Sequence, residues 1–147
     1  MTQETHPIAA LNRYFLWFDI MHKTCKKTAP EAVRAVHFLD PSFMLTFLYL
    51  LQAYASLYVV VEGWQIIGLT DPAIDQLLSS PMVGFLRRIR NGAYHFQPMY
   101  FDRRVVEFFD CGVAASDWVD AVHSAFTAFF KAWNRDHKLD GTLRVQK

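Results

Sequence analysis

Five side chains suited to chemistry fall close together in the stretch LRRIRNGAYHFQP: Arg87, Arg88, Arg90, Asn91 and His95. Histidine has an ordinary pKa of about 6.5, so near neutral pH it can take up a proton or release one. A guanidinium is a fixed, planar set of donors for an anion such as a phosphate. A carboxamide can orient either group. The set suits a proton transfer beside a negatively charged centre. On periodicity alone a plainer reading also fits: a structural histidine at a bundle surface, with arginines coating a solvated face.

The element that must position these residues is a helix. Met82, Phe85, Leu86, Ile89, Ala93 and Phe96 recur at helical spacing, and the stripe crosses Gly92 without losing phase. A mid-helix glycine costs about 1 kcal/mol relative to alanine, which a packed stripe outweighs. Asn-Gly is otherwise a turn signal, so a stop at Gly92 is the alternative. The helix is expected over 81–96, begun at Ser80-Pro81 and ended by Pro98. On it Arg88, Asn91 and His95 share a face, with Arg87 level with Asn91. Arg90 lies about 140° from His95 on an ideal helix, so it reaches that histidine only if the helix distorts or a partner helix completes the site. Glu62 sits in the apolar run LYVVVEGW, where an unpaired carboxylate is costly. It either pairs with Arg90 or Arg88 or reaches solvent near its helix end.

The rest of the chain reads as helical too. Residues 8–27 carry Leu11, Phe15, Phe18 and Met21 at helical spacing, with a short helix expected from Pro30. Pro41 opens a long apolar helix over 41–67, and Gly68 is its stop. Thr70 or Asp71 as cap, with Pro72 at the first position, starts a short helix over 71–79. Residues 98–115 fit a loop, a short helix or a strand. Ser116 is expected to cap a last helix with the stripe Trp118, Val122, Phe126, Phe129 or Phe130, and Trp133. Strand signals are scarce. The expected fold is all-α: four main helices plus one or two short ones, in a single domain over 1–147, ordered from about 8 to 137 with a frayed tail over 138–147.

Composition narrows the function classes. A hydrophobic share of 52% supports a real core and excludes disorder. The net charge of +1 gives no global field towards nucleic acid or lipid, so a polyanion contact needs a local cluster. Cys25 and Cys111 belong to no CxxC, and no Cys/His set has zinc spacing. No metal or cofactor is expected. A reducing compartment fits best, although the two thiols could form one bridge. The start, MTQETHPIAALNRYF, lacks a signal-peptide pattern. The uncharged run from Phe43 to Val61 has the length of a membrane span. Its three tyrosines, its Gln52 and the absence of flanking Lys/Arg favour a buried central helix. The reading is cytoplasmic, with no membrane association. His22, His37, His123 and His137 are scattered and read as surface or core-edge residues, and His6 as part of a disordered start.

RNGAYH, Arg90 to His95, resembles the signature of the HEPN superfamily: arginine, a polar residue directly after it, then histidine a few residues on. FLRRIRNGAYHF and YVVVEGW are also similar to a group of small bacterial and plasmid-borne HEPN-like proteins, and the likeness of order and helix setting spans 8 to about 136. Gly92 departs from the pattern and is expected to soften the helix. The resemblance implies a HEPN-like bundle and a metal-independent endoribonuclease in which the RNA 2′-hydroxyl attacks its own phosphorus. It implies a homodimer, with Arg90, Asn91 and His95 of both protomers lining one cleft. His95 would then be the acid/base, Arg90 the phosphate stabiliser, and Asn91 the group that places the phosphate or orients His95. Glu62 would hold an arginine. Arg87, Arg88, Arg103 and Arg104 would contact RNA backbone, and Tyr94 and Phe96 would stack on bases, although aromatics at this spacing are more often core. A role as a toxin or defence nuclease, with an antitoxin or regulatory protein as partner, is implied in the same way. The alternative is a non-catalytic HEPN-like module that binds a nucleotide, RNA or a protein.

Overall fold

Proline, aspartate and glycine set most of the helix boundaries. The structure is a computed structural model describing residues 6–137; the expected frayed tail lies outside them. Six helices follow in order: α1 (Pro7–Val33), α2 (Pro41–Ile67), α3 (Pro72–Leu78), α4 (Met82–Tyr94), α5 (Arg103–Asp110) and α6 (Val113–His137). No strand occurs among the described residues, so the architecture is the expected all-α bundle. Asp40 caps α2 by accepting from Ser42 N at 2.9 Å, and Asp71 caps α3 by accepting from Ala73 N and Ile74 N, both at 3.0 Å. Gly68 closes α2 at φ 73°, a left-handed conformation that glycine adopts without a Cβ penalty.

Three local expectations are corrected and one open stretch is resolved. Pro30 does not begin a new helix. It lies inside α1, whose last turn accommodates it three residues from the end. His6 is the N-cap of α1: its Nδ1 accepts from Ile8 N at 3.4 Å, and its ring lies 5.1 Å from that of Trp133. Of the loop, short helix or strand that fit 98–115, the short helix is found: α5, capped by Asp102, which accepts from Arg104 N at 2.9 Å. Ser116 caps nothing, because α6 starts three residues earlier. Gly112, at φ 57°, turns the chain from α5 into α6, and its carbonyl accepts from Ala115 N and Ser116 N.

The core lies where α1, α2, α4 and α6 meet. Phe18, Leu57, Val60, Trp64, Leu86, Ile89, Val119 and Phe126 are sealed from solvent. Burying each such side chain contributes about 1.5–3 kcal/mol. Polar ties fix the short helices: Trp64 Nε1 donates to Asp75 Oδ1, and Trp118 Nε1 to the Leu77 carbonyl, both at 3.0 Å. α1 and α2 pair along most of their length, joined near the hairpin end by Thr46 Oγ1 donating to Thr28 Oγ1 at 2.6 Å.

α2 is surrounded only in part. It is long and apolar enough to cross a membrane by length and composition, with 44% of its most apolar window buried. Full burial begins at Ala53. Residues 41–52 instead leave Met44, Leu45 and Leu48 exposed and support a separate aromatic cluster of Phe38, Phe43, Phe47, Tyr100 and Phe101. Tyr100 Oη donates to the Phe38 carbonyl at 3.0 Å, which ties the 95–102 connection to the α1–α2 turn. That connection carries the chain onward from the candidate site.

Candidate functional site

α4 runs through Gly92 without a break, and its Leu86 and Ile89 enter the core. A Cβ at Gly92 would meet Arg104 Cβ and Val105 Cγ2 at 3.7 Å, ordinary contact distance, so α5 passes close to the helix at this point. The helix ends at Tyr94, earlier than expected. His95 is its C-cap in an extended conformation (φ −119°, ψ 136°), and Phe96 is 93% exposed instead of continuing the stripe. Extended backbone at 95 and Pro98 soon after carry the chain away from the axis. The shared helical face of Arg88, Asn91 and His95 is therefore broken at its last member.

Arg90 is the best-anchored polar group here. Its Nη2 lies 3.6 Å from Glu62 Oε1, and its Nη1 donates to Asn91 Oδ1 at 3.1 Å. Its guanidinium carbon sits 5.5 Å from the centre of the Tyr58 ring, one turn before Glu62 on α2. Glu62 thus both pairs and reaches solvent: the side chains are 33% (Arg90) and 41% (Glu62) exposed. Of the two candidate partners it takes Arg90, because Arg88 is claimed by Glu107 of α5, whose other oxygen accepts from Arg103 Nε at 2.8 Å. Arg87 is exposed, and Arg104 Nε lies 3.9 Å from Asp102 Oδ1.

His95 is exposed, and among the described residues its ring hydrogen-bonds to neither Arg90 nor Asn91; only its carbonyl is engaged, by Gln97 Nε2 at 3.2 Å. Asn91 binds Arg90 and does not orient the histidine. Tyr94 turns its hydroxyl to Gln52 Oε1 at 3.0 Å, pinning the end of α4 to α2. Sequence reasoning missed Tyr58, Gln52 and Glu107. Tyr58 had a signal, since it precedes Glu62 by one helical turn. The other two depend on which helices meet.

A second polar cluster joins α1 to α6, and the scattered histidines gave no sign of it. His123 Nε2 contacts Asp19 Oδ1 at 2.6 Å, and Lys23 Nζ donates to Asp19 Oδ2 at 2.7 Å. Lys26 Nζ donates to Asp120 Oδ1 at 3.0 Å. His22 is only 7% exposed; its Nε2 lies 3.5 Å from the same Asp120 oxygen, yet neither ring nitrogen has a hydrogen bond. Burial, then nearby Lys26, pushes the His22 pKa below its ordinary value. Burial pushes the Asp19 carboxyl upward, but hydrogen bonds from Lys23 and His123 outweigh it and hold the pKa low. The Lys26 hydrogen bond keeps Asp120 low as well. Cys25 and Cys111 are both free thiols.

Among the described residues no cluster of three or more His, Cys, Asp or Glu side chains is arranged to hold a metal ion. The chain matches no family model, no curated protein and no solved structure. Geometry and chemistry therefore carry the functional reading.

Proposed function

We propose that this chain is a metal-independent endoribonuclease of the HEPN type, working in the cytoplasm as a homodimer. The position of Arg90 carries the reading. It is held by Glu62 and Asn91, remains partly open to solvent, and sits one turn before the point where the chain presents His95 outward. An anchored guanidinium and a solvent-accessible imidazole are the two groups that phosphoryl chemistry on RNA requires. In the proposed reaction one His95 takes the proton of the 2′-hydroxyl. The 2′ oxygen bonds to phosphorus, the bond from phosphorus to the 5′ oxygen breaks, and a protonated His95 of the partner subunit protonates the leaving oxygen. The products are a 2′,3′-cyclic phosphate and a 5′-hydroxyl. Arg90 stabilises the charge that builds on phosphorus.

A single chain presents one His95, so the second proton transfer needs a second copy. Phe96, Met99, Tyr100 and Phe101 are exposed immediately beyond His95, and an apolar surface of this kind suits a protein interface. An antitoxin or regulatory partner, and a toxin or defence role, belong to the same proposal by resemblance.

Cleavage of a labelled structured RNA pool in EDTA tests it. Wild type should give cyclic-phosphate ends, and His95→Ala should lower the rate by about 10²–10⁴-fold, the usual worth of a general acid–base group. No cleavage by a clean wild-type dimer sinks the proposal. The second reading, a non-catalytic RNA- or protein-binding module, is favoured by one observation: the His95 ring has no bond to Arg90 or Asn91 to orient it. Retained RNA binding without cleavage would select it.

A further inference from the structure

Between α1, α2 and the end of α4 lies an open groove of about 360 Å³, lined by Trp17, Ile20, Met21, Gln52, Ser56 and Tyr94. Its walls are aromatic and aliphatic, and its floor carries an amide and a hydroxyl. Trp17 is 47% exposed, unusual for so large an apolar side chain beside a formed core. Tyr14 meets it edge-on at 5.2 Å, and the Arg13 guanidinium lies 5.4 Å from the indole centre. On the opposite wall Tyr94 is held by its hydroxyl bond to Gln52 Oε1, which leaves the Gln52 amide nitrogen as a spare donor. Tyr94 is one turn past Arg90 on α4, but the two side chains diverge: Arg90 reaches Glu62 and Tyr94 reaches Gln52, ten residues apart on α2 and about 15 Å along its axis. A strand of a few nucleotides spans that distance.

We infer that this groove receives an unpaired base of a single-stranded RNA whose phosphate is held at Arg90. Trp17 and Tyr94, the two exposed rings that line the groove, each have a cation one turn earlier on their own helix, Arg13 and Arg90. Sequence-tolerant single-strand binders use this arrangement, stacking bases on aromatic rings while cations follow the backbone. The base stacks against Trp17 or Tyr94, and the Gln52 amide nitrogen and Ser56 hydroxyl meet acceptors and donors on its edge. A nucleobase fits the groove better than a lipid chain or an aliphatic side chain, because either would leave Gln52 and Ser56 desolvated and unpaired. The inference deepens the ribonuclease reading by assigning where the substrate base lies, and it requires only nucleotide binding, not cleavage.

The test uses 2′-deoxy tetranucleotides, which cannot undergo 2′-hydroxyl attack, titrated against the full chain by tryptophan fluorescence. Trp64 and Trp133 are buried and Trp118 is half-buried, so quenching by a bound base reports chiefly on Trp17. Wild type should be quenched by tetranucleotides and far less by the abasic sugar-phosphate of equal length. Trp17→Ala should weaken binding about 5- to 100-fold, the range for loss of one base–aromatic stack. Its circular dichroism should be unchanged, because the ring is not in the core. Gln52→Leu should weaken binding in the same direction while leaving Trp17 in place. Equal affinity for abasic and natural tetranucleotides, or full affinity in Trp17→Ala, overturns the inference in favour of phosphate contacts alone. A concentration-dependent shift of Trp17 emission without nucleic acid, together with no response to tetranucleotides, overturns it in favour of a second copy in the groove. Base-dependent binding with no cleavage of the ribose versions leaves the groove standing and removes the ribonuclease. Cleavage that Trp17→Ala does not change removes the groove and leaves the ribonuclease.

Discussion

His22→Phe should stabilise the protein at neutral pH and flatten its stability between about pH 6.5 and 5. The wild-type ring is buried, stacks on Phe18 at a centroid distance of 5.2 Å, and leaves both nitrogens without a hydrogen bond. A buried, unsatisfied polar group costs about 1–3 kcal/mol, and phenylalanine keeps the ring while removing both nitrogens. Asp120 keeps Lys26 as its partner. A midpoint shift worth about 1 kcal/mol in urea unfolding is therefore expected. The pH dependence follows from linkage. Burial, then Lys26, depresses the folded pKa of His22 below 6.5, so on acidification the unfolded chain binds this proton first. Stability then falls as pH falls from 6.5 towards the folded pKa, with a limiting slope of about 1.4 kcal/mol per pH unit for one group. Asp19 and Asp120 have folded pKa values below 3.8, so their contribution is complete above that value and is lost only in stronger acid. The difference between wild type and variant from pH 6.5 to 5 thus reports on His22 with the carboxylates still ionised. Urea unfolding of wild type and variant at pH 7, 6 and 5 is the assay. A variant that is less stable at pH 7, or that keeps the full wild-type slope, refutes the reasoning.

Gly92→Ala should raise stability by up to about 1 kcal/mol, since the added Cβ meets only ordinary contacts and a helical glycine is replaced; thermal unfolding checks it, and a loss of stability would mean that α5 packs more tightly there. Gly63→Ala should do the opposite: its Cβ would lie 2.6 Å from Leu11 Cδ1, and overpacking at an α1–α2 contact costs about 1–3 kcal/mol. Glu62→Gln should change stability by less than about 1 kcal/mol, because the pair it breaks is partly exposed. If the proposed ribonuclease reading holds, the same variant should bind non-cleavable RNA more tightly yet cut cleavable RNA more slowly, since Arg90 loses both a competing carboxylate and its anchor. Equal losses of binding and cleavage would contradict that division. Asp71→Ala should cost about 1 kcal/mol by removing the acceptor for Ala73 N and Ile74 N, read as a lower melting temperature.

Most helices were legible because their signals are local. Pro41 and Gly68 bracket α2, Asp71-Pro72 opens α3, and the stripe Met82, Phe85, Leu86, Ile89 carries α4 across Gly92. Each signal involves residues within one or two turns of each other, which is the range over which backbone bonding and side-chain periodicity act. Sequence pattern and structure differ where two local signals compete. Pro30 can begin a helix and here lies near the end of one. Ser116 looked like a cap and was bypassed because Gly112 turned the chain earlier. Phe96 kept the stripe's spacing, but extended backbone at His95 removed it from the helix.

The candidate site divides along the same line. The amino-acid sequence alone determined that Arg90, Asn91 and His95 follow one another within a short length of chain, because adjacency requires it. Only the tertiary structure decided which partner each acquires. Glu62 pairs with Arg90 because α2 runs beside α4, and Arg88 is unavailable because α5 delivers Glu107 to it. Tyr94 is pinned by Gln52, far away in sequence. His22 meets Asp120, and His123 meets Asp19, because α1 and α6 lie side by side. Helix formation is governed by contacts within a turn or two. Pairing of charges and placement of rings are governed by how separate helices pack, and that follows from burial of the whole core.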